Sequence, residues 1–209
     1  MNSANLSEYW SHLEQTEIGW VHPEDRMLLE SEPNTFNLDY PPPAFIGDVS
    51  TAVVIVLAAN GGYDPTITSR EFSSPAVSQR YLDRLARPAD ADWSEVAPYY
   101  QGINYADLLL SGKAAIVNAC AYRSRKISEE PENRRLIKKL PSARFNRQWL
   151  LEAVLPDANQ GKRLIVGKRH GLWDLPAEVR SSLGFVADPA PVSPHLSGVV
   201  LDRIKMAAK

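Results

Sequence analysis

Three runs of the chain are apolar without polar alternation: residues 52–59, 114–121 and 163–166. Each is rich in Val, Ile, Leu or Ala, the pattern of parallel strands covered on both faces. Residues 184–187 are a weaker fourth strand. Helical stretches lie between them, over 74–85, 93–99 and 105–110 before the second run, and over 128–140 and 142–155 after it. Residues 176–183 lead to a stop at Gly184, and 198–206 form the last helix. Ser128, followed by acids at 129, 130 and 132, suits a helix start, and Ser142 and Ser197 are candidate caps. Strands alternating with helices predict an α/β fold: a three-layer α/β/α sandwich around a central, mostly parallel four-stranded sheet. Residues 1–50 read as an N-terminal extension packing on a single domain of 1–209. It has helix-like pieces near 5–17 and 23–31, then Pro41-Pro42-Pro43, which must be extended.

Composition narrows the class. No run of about 18 apolar residues exists, so no membrane span is expected, and the N-terminus lacks the basic start and apolar core of a secretion signal. The single cysteine, Cys120, excludes an intramolecular disulfide and a cysteine-ligated cluster, which fits a reducing cytoplasm. The net charge of −2 hides an asymmetry. Residues 1–111 hold 5 basic against 16 acidic side chains, and residues 112–170 hold 14 against 5. Such a block suggests a side facing a polyanion, or else solvated helix faces that balance acidic ones elsewhere.

In open parallel sheets ligands bind outside the carboxyl ends of the strands. The first apolar run ends in Asn60-Gly61-Gly62-Tyr63-Asp64, which reads as a turn. The second contains Asn118 and runs through Cys120 and Tyr122 into Arg123-Ser124-Arg125-Lys126. The third delivers Gly167-Lys168-Arg169-His170, and the fourth the segment 188–197, which holds Ser193, His195 and Leu196. The four histidines show no metal-ligand spacing, and the dinucleotide, Walker and nucleophile-elbow motifs are absent, so no cofactor or metal is expected. Asn118 needs a partner or a ligand, because an unpaired amide inside an apolar strand costs about 1–3 kcal/mol. Glycines at a strand end allow close approach of a ligand to backbone amides.

Three ordered segments, LAANGGYDP with EFSSPAVSQRY behind it, AAIVNACAY and PVSPHLSG, resemble the uracil-DNA glycosylase superfamily, nearest its mismatch-specific and single-strand-selective branch. The resemblance implies that Asn60 positions the attacking water and that Gly61, Gly62 and Tyr63 border the base. It implies that Phe72 stacks on the base and that Asn118 reads its pairing edge. His195 would assist the leaving oxygen or touch a phosphate, and Leu196, with Ser193, would belong to the loop that fills the gap left by the flipped base. Two departures stand out: Gly61 replaces the family's Pro, and His195 follows Ser193-Pro194 where the family's His comes first. Gly62 stands where uracil-specific relatives carry a Tyr that bars the thymine methyl, so a wider range of bases is expected. Arg123, Arg125, Lys126, Lys168 and Arg169 would track the phosphate backbone.

The expected function is therefore a monofunctional DNA glycosylase that flips a damaged or deaminated base and hydrolyses its N-glycosidic bond, with DNA as partner and the protein a monomer. The alternatives are a non-catalytic nucleic-acid or nucleotide-binding module on the same fold, and a different α/β hydrolase using Asp64 and His170.

Overall fold

The computed structural model describes residues 5–93, 98–189 and 194–209. A hairpin of β1 (Glu14–Thr16) and β2 (Gly19–Val21) stands apart from a five-stranded sheet. That sheet contains β3 (Phe45–Ile46), β4 (Val54–Gly62), β5 (Ala114–Ser124), β6 (Leu164–Gly167) and β7 (Phe185–Ala187), in the order β3-β5-β4-β6-β7. β4 pairs in parallel with β5 and β6, and β6 with β7, while β3 is antiparallel to β5. The sheet is thus mixed and has one strand more than expected. The extra strand, β3, is two residues long and follows the extended proline run, so no periodicity could reveal it.

β4 and β5 also run beyond their expected ends. Asn60-Gly61-Gly62 is not a turn: after a register shift between Asn60 and Gly61, Gly61 pairs with Arg123 and Gly62 with Ser124. The bulge re-aims the strand tip, a common device beside functional sites. Gly61 answers to packing, since a Cβ there would lie 2.7 Å from both the Ala121 carbonyl oxygen and the Pro43 ring. Around Gly62 there is open space.

The N-terminal region carries α1 (Leu6–Trp10) and α2 (Arg26–Ser31). Between β4 and β5 lie α3 (Pro65–Glu71), α4 (Pro75–Ala86), α5 (Pro98–Gln101) and α6 (Ala106–Leu110). Residues 94–97 of the helix expected over 93–99 lie outside the described residues. Then come α7 (Pro131–Ile137), α8 (Pro141–Trp149) and α9 (Leu155–Asn159), with α10 (Ala177–Arg180) before β7 and α11 (Gly198–Ala207) after it. Prolines open α3, α4, α7 and α8 at the first helical positions, where no N–H is needed. The helix expected over 142–155 is broken by a wider π-type turn at Leu150–Val154, because Pro156 cannot complete the regular ladder there. Among the described residues no helix is long and apolar enough to cross a membrane.

Every residue of β5 is buried, so both faces of the sheet are covered there. The larger core gathers β4, β6 and most of β5. A second cluster joins Cys120 and Tyr122 of β5 to Val21, Leu29 and Phe36 of the N-terminal region and to Leu136, Ile137, Leu140 and Ala143. At its heart Asp25, fully buried, accepts from the Tyr122 hydroxyl at 2.7 Å and from the Ser142 backbone N–H at 3.0 Å. The N-terminus of α8 is therefore capped by a distant carboxylate, where the sequence suggested Ser142 itself.

His22 is buried against Tyr9, whose ring stacks on it at 3.9 Å. Its Nδ1 accepts from the Glu24 N–H at 3.3 Å, and its Nε2 faces the Tyr9 carbonyl at 3.1 Å, as suits a neutral ring with a proton on Nε2. Burial holds its pKa below the usual histidine value. The unfolded chain therefore takes up that proton more readily, so the stability His22 contributes is present above about pH 6.5 and is lost as the pH falls through its folded value. Asp25 and Glu71, both raised by burial, act in the opposite sense. Thermal melts between pH 7.5 and 5 should thus show a smaller acid-side loss in His22→Gln than in wild type; an unchanged slope would remove His22 from this role.

Candidate functional site

A cleft of about 390 Å³ opens outside the carboxyl ends of β4, β5 and β6. That size falls within the roughly 300–1,000 Å³ of small-molecule sites. It lies where the chain, having built β5 on one side of β4, crosses to build β6 on the other, the placement expected for ligands in open α/β sheets.

Two asparagine side chains line the cleft from adjacent strands. In register, Asn118 lies opposite Ala58 and Asn60 opposite Cys120. Alternation along a strand puts Ala58 and Asn60 on one face, so the two amides are diagonal neighbours. Asn118 is 2% exposed and held three times over. Its backbone N–H donates to the Ala44 carbonyl at 3.0 Å, and its carbonyl accepts from Asn146 Nδ2 at 2.9 Å. Its own Nδ2 donates to the Pro43 carbonyl at 2.6 Å. Asn146 in turn accepts from Trp10 Nε1 at 2.9 Å. Residues 1–50 thus supply most of the frame that fixes this amide. The plane of Asn118 is set, one N–H is spent on Pro43, and Oδ1 with the second N–H can be offered to a ligand.

Asn60 is half-buried, and its Nδ2 donates to the Gly61 carbonyl at 2.7 Å and to Ser124 Oγ at 2.9 Å. With both amide hydrogens committed, Oδ1 is the atom it can turn to a water or ligand. Asp64 also lines the cleft, but its Oδ1 accepts from the Thr66 and Ile67 N–H groups at 2.9 Å and caps α3.

That unforeseen helix changes the rest of the wall. Ile67, Thr68 and Glu71 of α3 face the cleft, whereas Phe72, at its C-terminal cap, does not line it. The Phe72 ring is 8% exposed and packs against Tyr40 at 5.6 Å and Tyr81 at 5.4 Å, under the Arg123 guanidinium at 5.1 Å. The aromatic surfaces on the cleft belong to Tyr63, Tyr99, Tyr100 and Tyr105. Burial raises the Tyr100 and Tyr105 phenols, which therefore stay protonated as hydrogen-bond donors.

Glu71 was not singled out in the sequence. Burial raises its carboxyl, opposed by the charges of Arg123 and Arg84. Arg123 Nη2 lies 3.8 Å from Glu71 Oε1, longer than a hydrogen bond. A signal for this residue existed in Asp64-Pro65, an N-cap and first-turn pair that starts a helix directly after β4 and places residues 67 and 71 on one face.

The expected phosphate contacts divide into two groups. Arg125, Lys126 and Arg169 are exposed and line the cleft, Arg125 lying over the Tyr63 ring at 5.8 Å. Arg123 and Lys168 also border it but are each only 5% exposed and serve the fold. Arg123 donates to the Pro41 and Gly62 carbonyls, both at 3.1 Å. Lys168 Nζ holds Asp188 at 2.5 Å and the His195 carbonyl at 2.7 Å. Leu196 is buried at 4% exposure, its backbone N–H and carbonyl both bonded to the Asn104 side chain at 2.9 Å, so it is no projecting wedge. His195 is exposed and does not line the cleft, and His170, whose Nδ1 faces the Gly167 carbonyl at 3.0 Å, lies off it as well. Ser193 lies outside the described residues. Among the described residues no group of three or more His, Cys, Asp or Glu side chains could hold a metal ion.

Comparison with protein-family models, with curated proteins and with solved structures found no match to the chain.

Proposed function

We propose that the protein is a monofunctional DNA glycosylase, acting as a monomer in the cytoplasm on a base turned out of its strand, on a three-layer α/β/α fold of the uracil-DNA glycosylase type. The observation that carries this reading is the pair of asparagine amides, Asn60 and Asn118, fixed by internal hydrogen bonds on one cleft of small-molecule size. The resemblance of the strand-end motifs supports it, with the tyrosines taking the stacking role first given to Phe72.

In this scheme the extruded base lies against the tyrosine surfaces, and Asn118 reads its edge. A lactam such as uracil or hypoxanthine offers an N–H beside a carbonyl, which one amide orientation satisfies with Oδ1 accepting and Nδ2 donating. Cytosine presents the opposite edge. Asn60 Oδ1 orients a water toward the sugar C1′. The water oxygen forms the new bond to C1′ as the C1′–N bond breaks, and the electron pair leaves with the base. The donor from Asn118 then meets growing negative charge on the base oxygen, where preorganised donors act most strongly. The water's surplus proton passes to the base or to solvent. Open space around Gly62 agrees with a pocket that admits more than uracil.

The test is incubation with end-labelled oligonucleotides carrying uracil, hypoxanthine or xanthine, paired or single-stranded, followed by alkali. Strand scission at the modified base is expected for at least one of them. No scission on the whole panel, from folded protein, would contradict the proposal. The position of His195 off the cleft favours one rival, a binding module without chemistry. Its signature would be salt-sensitive DNA binding that survives both Asn60→Ala and Asn118→Ala, with no scission.

A further inference from the structure

We propose that Glu71 sets the specificity of the cleft by accepting hydrogen bonds from an amino group on the base, so that the substrate class is the guanine type, a lactam with an amino group beside its N–H. This deepens the proposed function and rests on its reading of Asn118 as the group that takes the lactam edge.

Glu71 is the last residue of α3 and lines the cleft, with its side chain 18% exposed. Among the described residues its carboxylate accepts no hydrogen bond, and its ion pair with Arg123 spans 3.8 Å, beyond hydrogen-bond reach. Arg123 is held back from closing that gap, because its Nε and Nη1 donate to the Pro41 and Gly62 carbonyls at 3.1 Å. A largely buried carboxylate without donors is costly, and the open side of this one is the cleft. Burial raises its carboxyl, as expected of a group short of donors.

The missing donors are those of a neutral amine and not of a cation. Arg125, Lys126 and Arg169 are exposed on the same cleft and repel a cationic ligand. A base edge supplies N–H groups without charge. In the proposed scheme Asn118 takes a carbonyl and the N–H next to it. Guanine continues that edge with an amino group, whereas adenine and cytosine set their amino groups beside a ring nitrogen that only accepts. One short segment ties both protein groups together: Asn118 donates to the Pro43 carbonyl, and Arg123, the partner of Glu71, to the Pro41 carbonyl. The two anchors are thus two residues apart, at most about 7 Å of chain. An ordinary guanine is protected by the cost of extruding it from a paired stack, which is least for damaged or mispaired bases.

Guanosine and inosine differ only by that amino group. Their equilibrium binding to the whole protein at pH 8, with wild type, Glu71→Met and Glu71→Gln, tests the assignment apart from catalysis. Wild type should bind guanosine about 10-fold or more tighter than inosine, the size of one hydrogen bond to a charged acceptor. Xanthosine, with a carbonyl at that place, should bind more weakly than inosine. In Glu71→Met, of similar length but without an acceptor, the guanosine preference should shrink below about twofold. Glu71→Gln, an uncharged acceptor, should fall between, and it carries the test if the methionine variant does not fold. A Glu71 that served only the fold would weaken both nucleosides alike and leave their ratio unchanged. That result, or a wild type that binds guanosine no better than inosine or binds neither, would overturn the assignment. If a Glu71-dependent guanosine preference is found but no base is released from the oligonucleotide panel, extended to 8-oxoguanine, the assignment stands and the glycosylase proposal falls. If bases are released without any guanosine preference, Glu71 loses this role and the glycosylase proposal stands.

Discussion

Asn118→Ala is expected to lower single-turnover base release by about 100-fold or more, the scale seen when one preorganised donor is removed from a developing oxyanion. Truncation removes both groups proposed to read the base, and no neighbouring side chain on β5 can substitute, since Ala119, Cys120 and Ala121 carry no amide. It also leaves the Pro43 carbonyl without its 2.6 Å donor, at a cost of about 1–3 kcal/mol in stability. Activity must therefore be compared at a temperature where unfolding curves show both proteins folded. Asn118→Asp separates the two effects. It keeps the side-chain shape but removes the donor, and a carboxylate would face the base oxygen. It should release base at least as poorly as the alanine variant, with selectivity moved away from lactam edges. A folded Asn118→Ala protein with an undiminished rate would take Asn118 out of the chemistry.

Asp25→Ala is expected to be the most destabilising substitution in the N-terminal region, by about 3–5 kcal/mol, the range for breaking a buried polar network from one side. The Tyr122 hydroxyl and the Ser142 N–H would both lose their acceptor in a fully buried place, and α8 its N-terminal cap. Asp25→Asn retains one acceptor oxygen and should cost less, about 1–3 kcal/mol. Because burial raises the Asp25 carboxyl above its unfolded value, its contribution is fully present below the ordinary aspartate pKa and diminishes as the pH rises through the folded value. Urea unfolding at pH 5 and pH 8 measures both effects, and the deficit of the alanine variant should be larger at pH 5. A loss under about 1 kcal/mol at both would show that the second cluster holds without this network.

How much of this was visible in the sequence depends on what each residue's role required. The cores of β4, β5, β6 and β7 were legible because uninterrupted apolar runs have few other uses in a chain of this composition. β3 was not, since two residues carry no period and their strand exists only because β5 offers an edge. The ends of β4 and β5 were misplaced because Asn-Gly-Gly imitates a turn, whereas Gly61 is there to let Pro43 and the Ala121 carbonyl approach. Asn118 could be located because an amide inside an apolar strand has to be explained. Phe72 could not, because its direction depends on α3, and an aromatic residue twelve positions after Asn60 reads the same whether it faces a base or Arg123. Arg123 and Lys168 looked like surface cations. That their long side chains turn inward to backbone carbonyls and to Asp188 is a tertiary property with no local signature. Glu71 and the tyrosine wall were likewise hidden in connecting segments whose path only the fold defines.

The most direct measurement is mass-resolved detection of the free base released in a single turnover from uracil- and hypoxanthine-containing oligonucleotides, with wild type and Asn118→Ala run side by side. Wild type should liberate the intact base and leave an abasic strand of otherwise unchanged length, and the variant should do so at least about 100-fold more slowly. Release at equal rates from the two proteins, or no free base from wild type on either substrate, would contradict a base-reading amide in the middle of β5.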